Sequence, residues 1–168
     1  HIDIMLSTLT SIHPDNNQIK QSTEALKKFS ENIQSVEMLL YQMKNNQNGN
    51  NRQLAGVVLY KCIDKHWQKI PQDKQLLIKT LLIELYSKET TKLALKAIAH
   101  VIMKICKQTL LNKEWDTLLD IVFANPSQYN TEQQLLFELN LYIISELISS
   151  SMEYLKHKLN DINNILTV

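Results

Sequence analysis

The sequence predicts an all-α chain built as a stack of antiparallel helix pairs, and three observations predict it. The 168 residues include only two glycines and three prolines, and no long run alternates β-branched with polar residues, so strands and tight hairpins have little to form from. Apolar residues recur instead at three- and four-residue steps, the period of a helix with one buried face. Helix starts read near 15, 51, 90 and 130, a step of roughly 36 to 40 residues, close to that of HEAT-type helical repeats. A lone helical hairpin cannot bury both of its faces, so such units stack on copies of themselves. The expected fold is a HEAT-repeat solenoid of about four antiparallel helix pairs, 15–45, 51–87, 90–124 and 130–166, preceded by one short N-terminal helix.

In chain order, residues 2–12 read as that short helix, with Ile2, Met5, Leu6 and Leu9 inward. His13-Pro14-Asp15 stops it and restarts the chain, Pro suiting a first helical position and Asp the positive dipole end. The helix from about 15 to 29 turns Ile19, Thr23, Leu26 and Phe29 to one side, and the next, to about Lys44, carries Ile33, Val36, Leu39, Leu40 and Met43. A polar loop over 45–50 leads to the stretch around which the rest is arranged, 51–67. There Leu54, Ala55, Val58, Leu59, Cys62 and Ile63 share a face, and small Ala55 and Gly56 permit close approach of a neighbouring helix.

Pro71 opens a strongly apolar helix with Leu77, Ile78, Leu81, Leu82 and Leu85 expected inward. A long helix over about 91–109 buries Leu95, Ile98, Ala99, Ile102, Ile105 and Cys106. Asn112 caps a short helix carrying Trp115, Leu118, Leu119 and Val122. Thr131 and Gln134 have capping-box spacing and open a helix to about Ile148, and a last helix spans about 152–166. Ile144, Leu147 and Ile148 give the final pair an apolar outer side, as expected of the N-terminal fragment of a longer array.

Composition narrows the function classes. With 18 basic and 17 acidic residues the formal charge is +1, which offers no bulk attraction for nucleic acid or a phosphoinositide surface and argues against a membrane-trafficking superhelix. No apolar run is long enough to span a bilayer, and residues 2–12 lack the basic start and apolar stretch of a secretory signal. Cys62 and Cys106 are single, far apart and on apolar helix sides, as reduced core thiols in the cytosol or nucleus are.

No glycine-rich phosphate loop and no Gly-x-Ser-x-Gly elbow occurs. Asp116 and Asp120 lie four apart on one helix face, but nothing nearby suggests the pocket that acid–base work requires. His66 and His100 have no second ligand at i+4 and no cysteine at zinc spacing. Neither a catalytic residue, a cofactor nor a metal is expected.

One ordered set of residues is more specific. Arg52-Gln53-Leu54-Ala55, Leu59-Tyr60-Lys61, Trp67, Pro71 and a leucine-rich helix ending near Glu84 together resemble the amino-terminal region of the importin-β (karyopherin-β) family of nuclear transport receptors. Pro14-Asp15, Glu24-Ala25-Leu26 and Leu39-Leu40 fit the preceding pair, and Lys113-Glu114-Trp115-Asp116-Thr117-Leu118-Leu119 looks like the family's Trp-x-x-Leu-Leu helix opening. The resemblance covers nearly the whole chain, is weakest over 125–168, and is nearest the importin-four branch, which carries ribosomal proteins and histones.

The resemblance implies a receptor that shuttles between cytoplasm and nucleus through nuclear pores. It implies first repeats that bind the GTP form of the small GTPase Ran, which dislodges cargo from an import receptor. It places Ran on the second helix of each pair, with cargo on later repeats and nucleoporin Phe-Gly segments on the convex side. On that analogy Tyr41, Gln42 and Asn45, then Gln75 and Lys79, then Asp116 and Asp120 are the candidate Ran-binding residues. The plain alternative for each is a solvated helix position. Arg52, Trp67 and Trp115 match family positions and read as structural: Arg52 as a bridge to a neighbouring repeat, Trp67 as a pin beside Pro71, Trp115 as core. A HEAT-repeat scaffold for a multi-protein complex, with no GTPase dependence, has the same core and is the competing reading.

Overall fold

The computed structural model describes residues 2–11, 15–109, 122 and 134–150. The described residues form α-helices: α1 (Ile2–Thr10), α2 (Asn16–Ser30), α3 (Ser35–Asn45), α4 (Gly49–His66), α5 (Gln72–Lys88), α6 (Lys92–Thr109) and α7 (Gln134–Ser150), with a 3-10 turn at Trp67–Lys69. The all-α, HEAT-like class expected from the periodicity is what the chain adopts. Two compact units divide within α6, His1–Ile102 and Met103–Val168.

Local chemistry sets the helix ends in the first unit. The Asp15 side chain accepts from the Asn17 amide and so stands outside α2 as its cap. Asn48 caps α4 in the same way through the Asn50 amide, which starts that helix at Gly49, inside what the sequence suggests is loop. Pro71 precedes α5 in an extended conformation, and the Gln75 amide group donates to the carbonyls of Trp67 and Ile70, closing the exposed end of the 3-10 turn.

The most extensive packing in the first unit joins α3 to α4 across the short connection Asn46–Asn48, and α1 to α2. The tight hairpin is therefore α3–α4, one helix out of step with the expected pairs 15–45 and 51–87. Turn signals in the sequence mark every break between helices but do not say which break closes a hairpin.

Two layers follow. Glu37 pairs with Lys74 and, further along, Lys44 with Glu84, so α3 and α5 lie side by side and run the same way. On the other side of α3, a Cβ added at Gly49 would meet Thr91 Oγ1 at 2.7 Å, and one at Gly56 would meet the Ala97 Cβ at 2.8 Å. These points advance together, so α4 and α6 are also parallel, at a separation that only Gly56 permits. The small-residue approach expected at Gly56 is thus met by Ala97.

The α2 end joins the α4 layer at Ser30. Its carbonyl accepts from His66 Nε2 at 3.0 Å and from the Cys62 thiol at 3.8 Å, while Ser35 Oγ and Cys62 Sγ share a hydrogen bond at 3.3 Å. His66 is thereby spent on α2, and burial pushes the Cys62 thiol up from its ordinary pKa. Asn51, buried in α4, holds α1 by donating to Ser7 Oγ and accepting from Thr10 Oγ1.

The core of this unit comprises Leu39, Leu59, Ile63, Leu82 and Ile98 with Trp67, which is 1% exposed. Three expected core residues fall elsewhere: Leu77 is 69% exposed, Ile33 is partly exposed, and Thr23 is exposed. α5 is apolar on most of its circumference, so periodicity does not choose its buried side, and the core takes Ile78, Leu82, Leu85 and Tyr86. In the second unit, Leu139, Asn140, Ile143 and Ile144 make the buried side of α7. Ile144 is thus interior there and not part of an outer apolar face. The side chain of Leu147, and the expected elements over 112–124 and 152–166 apart from Val122, lie outside the described residues.

Candidate functional site

Arg52 rises from the first turn of α4 and spends its whole guanidinium on its neighbours. Nε and Nη2 form a fork on the two Glu89 carboxylate oxygens, each at 2.8 Å, and Nη2 also donates to Thr91 Oγ1 at 3.0 Å. Nη1 donates to the carbonyls of Asn46 and Gln47 at 2.9 and 3.1 Å. One side chain thus ties the α3–α4 connection to the α5–α6 connection. The tie uses the planar fork that lysine lacks. Burial pushes the Glu89 carboxyl up, but the Arg52 fork and the Thr91 amide outweigh it and hold the group below the usual carboxylate range.

Two grooves flank this frame. Between α3 and α5 lies an apolar groove of about 340 Å³ lined by Leu40, Tyr41, Leu77, Ile78 and Leu81, with Lys44 and Lys74 at its edges. The Glu37–Lys74 pair, at 2.6 Å, separates it from a second hollow formed by Ile33, Met38, Ile70 and Pro71. Tyr41 and Leu77 are 64% and 69% exposed, so this face presents apolar side chains to solvent. Between α2 and α4, with the end of α1, lies the larger groove, about 680 Å³, with Leu26, Leu54, Val57 and Val58 below and Thr23, Lys27, Tyr60 and Lys61 around it.

The candidate residues do not converge on one surface. Tyr41 lines the α3–α5 groove, and Asn45 stands beside it, exposed, donating to the Tyr41 carbonyl. Gln42 is buried and accepts from the Asn46 side chain, Gln75 is committed to the Trp67–Ile70 turn, and Lys79 is only 4% exposed. Gln42 and Lys79 thus face the interior and not a solvated partner surface, and half-buried Gln75 is held by its own turn. Trp115, Asp116 and Asp120 lie outside the described residues. With α3–α4 as the hairpin, the second helices are α2, α4 and α6. The surface that the sequence reading missed is the α2–α4 groove, with Thr23, Lys27, Val57, Tyr60 and Lys61. Tyr60 and Lys61 lie within the 51–67 stretch, where periodicity marks only the buried face. Among the described residues no group of three or more His, Cys, Asp or Glu side chains is gathered to hold a metal ion, and no described helix is long and apolar enough to cross a membrane.

The profile of the importin-β N-terminal domain matches residues 22–88, from the middle of α2 to the end of α5, and so takes in both layers and both grooves. Residues 22–88 resemble an importin-β N-terminal domain. It is also similar to a protein of Schizosaccharomyces pombe named "Probable importin subunit beta-4", at 28% identity over 139 residues, 82% of this chain. The chain spans 13% of the length of that relative. Arg52, Trp67 and Pro71, which carry the importin-β resemblance, all fall within the matched residues. Within the matched residues Arg52 and Trp67 are parts of the scaffold, and Tyr60 and Lys61 are on a wall of the larger groove.

Proposed function

We propose that this chain is the amino-terminal part of a nuclear import receptor and that its α2–α4 layer binds the GTP form of Ran, controlling cargo release. The observation that carries the reading is the match over 22–88, which spans the α4 wall and the second half of the α2 wall of the larger groove. An apolar floor with a polar and charged rim suits a wet protein–protein surface. Tyr41 and Asn45 belong to the opposite layer. The apolar α3–α5 groove there suits the Phe-Gly segments of nucleoporins. Asp116 and Asp120 stay candidates for the GTPase on the resemblance alone. Cargo, of the ribosomal-protein or histone kind, would bind repeats further along the receptor, which shuttles between cytoplasm and nucleus.

Capture of Ran loaded with GTP or GDP tests the reading. The chain should retain the GTP form selectively, Val57→Asp should weaken that capture by at least about tenfold as a charge placed on a packed interface centre does, and Tyr41→Ala should leave it unchanged. Loss on Tyr41→Ala with Val57→Asp silent would move the GTPase to the α3–α5 face. Indifference of the full-length protein to the nucleotide would replace the transport reading with that of a scaffold.

A further inference from the structure

The larger groove carries more charge information than its size suggests. Its floor is apolar, and Lys27 and Lys61 stand on opposite walls, one on α2 and one on α4. Among the described residues neither of them is in a close ion pair, although Lys27 acts through space on the Glu31 carboxylate, to which Lys65 beside them is tied directly. Asp64 is the carboxylate among the lining residues, and it has an interaction of its own.

A segment lying along such a groove seats its apolar side on Leu26, Leu54 and Val57 and brings its flanks up to two ammonium groups. Carboxylates at those flanks find partners without displacing an existing ion pair, while basic flanks meet like charge at both walls. We infer that the α2–α4 groove selects a partner segment whose apolar stripe is flanked by carboxylates. Resting on the reading above, that segment is a patch on the surface of the GTPase.

Two fluorescein-labelled helical peptides with the same Leu/Phe core, one flanked by Glu and one by Lys, test the selection by anisotropy titration against the 168-residue chain. The Glu-flanked peptide should bind at least about tenfold more tightly at about 20 mM salt, and the advantage should shrink at about 150 mM as screening sets in. The double variant Lys27→Glu/Lys61→Glu should invert the preference, and its helical circular dichroism should match that of the unmodified chain because both side chains are exposed. Equal binding of the two peptides, preference for the Lys-flanked one, or binding of neither overturns the inference. Competition separates it from the reading it rests on. Displacement of the bound Glu-flanked peptide by GTP-loaded Ran supports both. A standing Glu preference that GTP-loaded Ran does not displace supports the charge selection and overturns the GTPase as its owner.

Discussion

Arg52→Ala should be among the most damaging single changes at the surface of the first unit. The side chains of Arg52 and Glu89 are 18% and 5% exposed, so the pair is largely shielded from solvent. Truncation removes the two-point fork to Glu89 and the bonds to Thr91, Asn46 and Gln47 at once. It also strands the Glu89 carboxylate without a counter-charge, leaving it the backbone amides of Thr90 and Thr91 and the Thr91 side chain. Leaving a buried charge unpaired costs about 3–5 kcal/mol. The retained amides and partial exposure of the arginine lower that here to roughly 2–4 kcal/mol.

For a chain of this size each 1 kcal/mol moves the midpoint by about 2–4 °C, so Tm should fall by roughly 4–16 °C. Arg52→Lys should recover only part of this, because one ammonium cannot reproduce the fork. Thermal and urea unfolding, followed by circular dichroism, measure it. The sign with pH is fixed as well. The Glu89 carboxyl is held below its unfolded value, so its contribution is complete above the ordinary carboxylate range and is lost as pH falls through the lowered value. The gap between the unmodified chain and Arg52→Ala should therefore be full at neutral pH and close only in that acid window. A midpoint within about 1 °C of the unmodified chain at neutral pH would refute the bracket as a stabilising element.

Gly56→Ala should destabilise by about 1–3 kcal/mol in urea unfolding, although Ala favours helix by about 1 kcal/mol, because the new methyl would meet the Ala97 Cβ at 2.8 Å. Trp67→Ala should cost about 3–5 kcal/mol, the range for truncating a fully buried aromatic side chain; a change below about 1 kcal/mol would mean that it pins nothing. Cys62 and Cys106 are both buried, so neither should react with an aromatic disulfide reagent until denaturant is added, and prompt stoichiometric labelling of native protein would contradict this. Leu77→Ala, at an exposed groove wall, should leave the unfolding free energy within about 0.5 kcal/mol of the unmodified chain.

The sequence by itself determined the fold class, the order of the helices and their ends to within a few residues. These are local properties: the three-to-four residue recurrence in α4 and α6, the restart at Asp15, and the break at Pro71. It also made the importin-β resemblance legible, through Arg52, Trp67 and Pro71, all within the matched residues 22–88. Only the tertiary structure decided which helices share a layer. Turn signals are alike at every break, whereas the α3–α4 hairpin is selected by packing, and the α4–α6 approach by a contact between Gly56 and Ala97, forty-one residues apart. That pairing then decided which polar side chains reach a partner. Lys79 and Gln42 look like solvated positions in the sequence but are turned inward. Leu77 looks like core but is turned out, because α5 offers apolar residues on most of its circumference and only its neighbours choose among them.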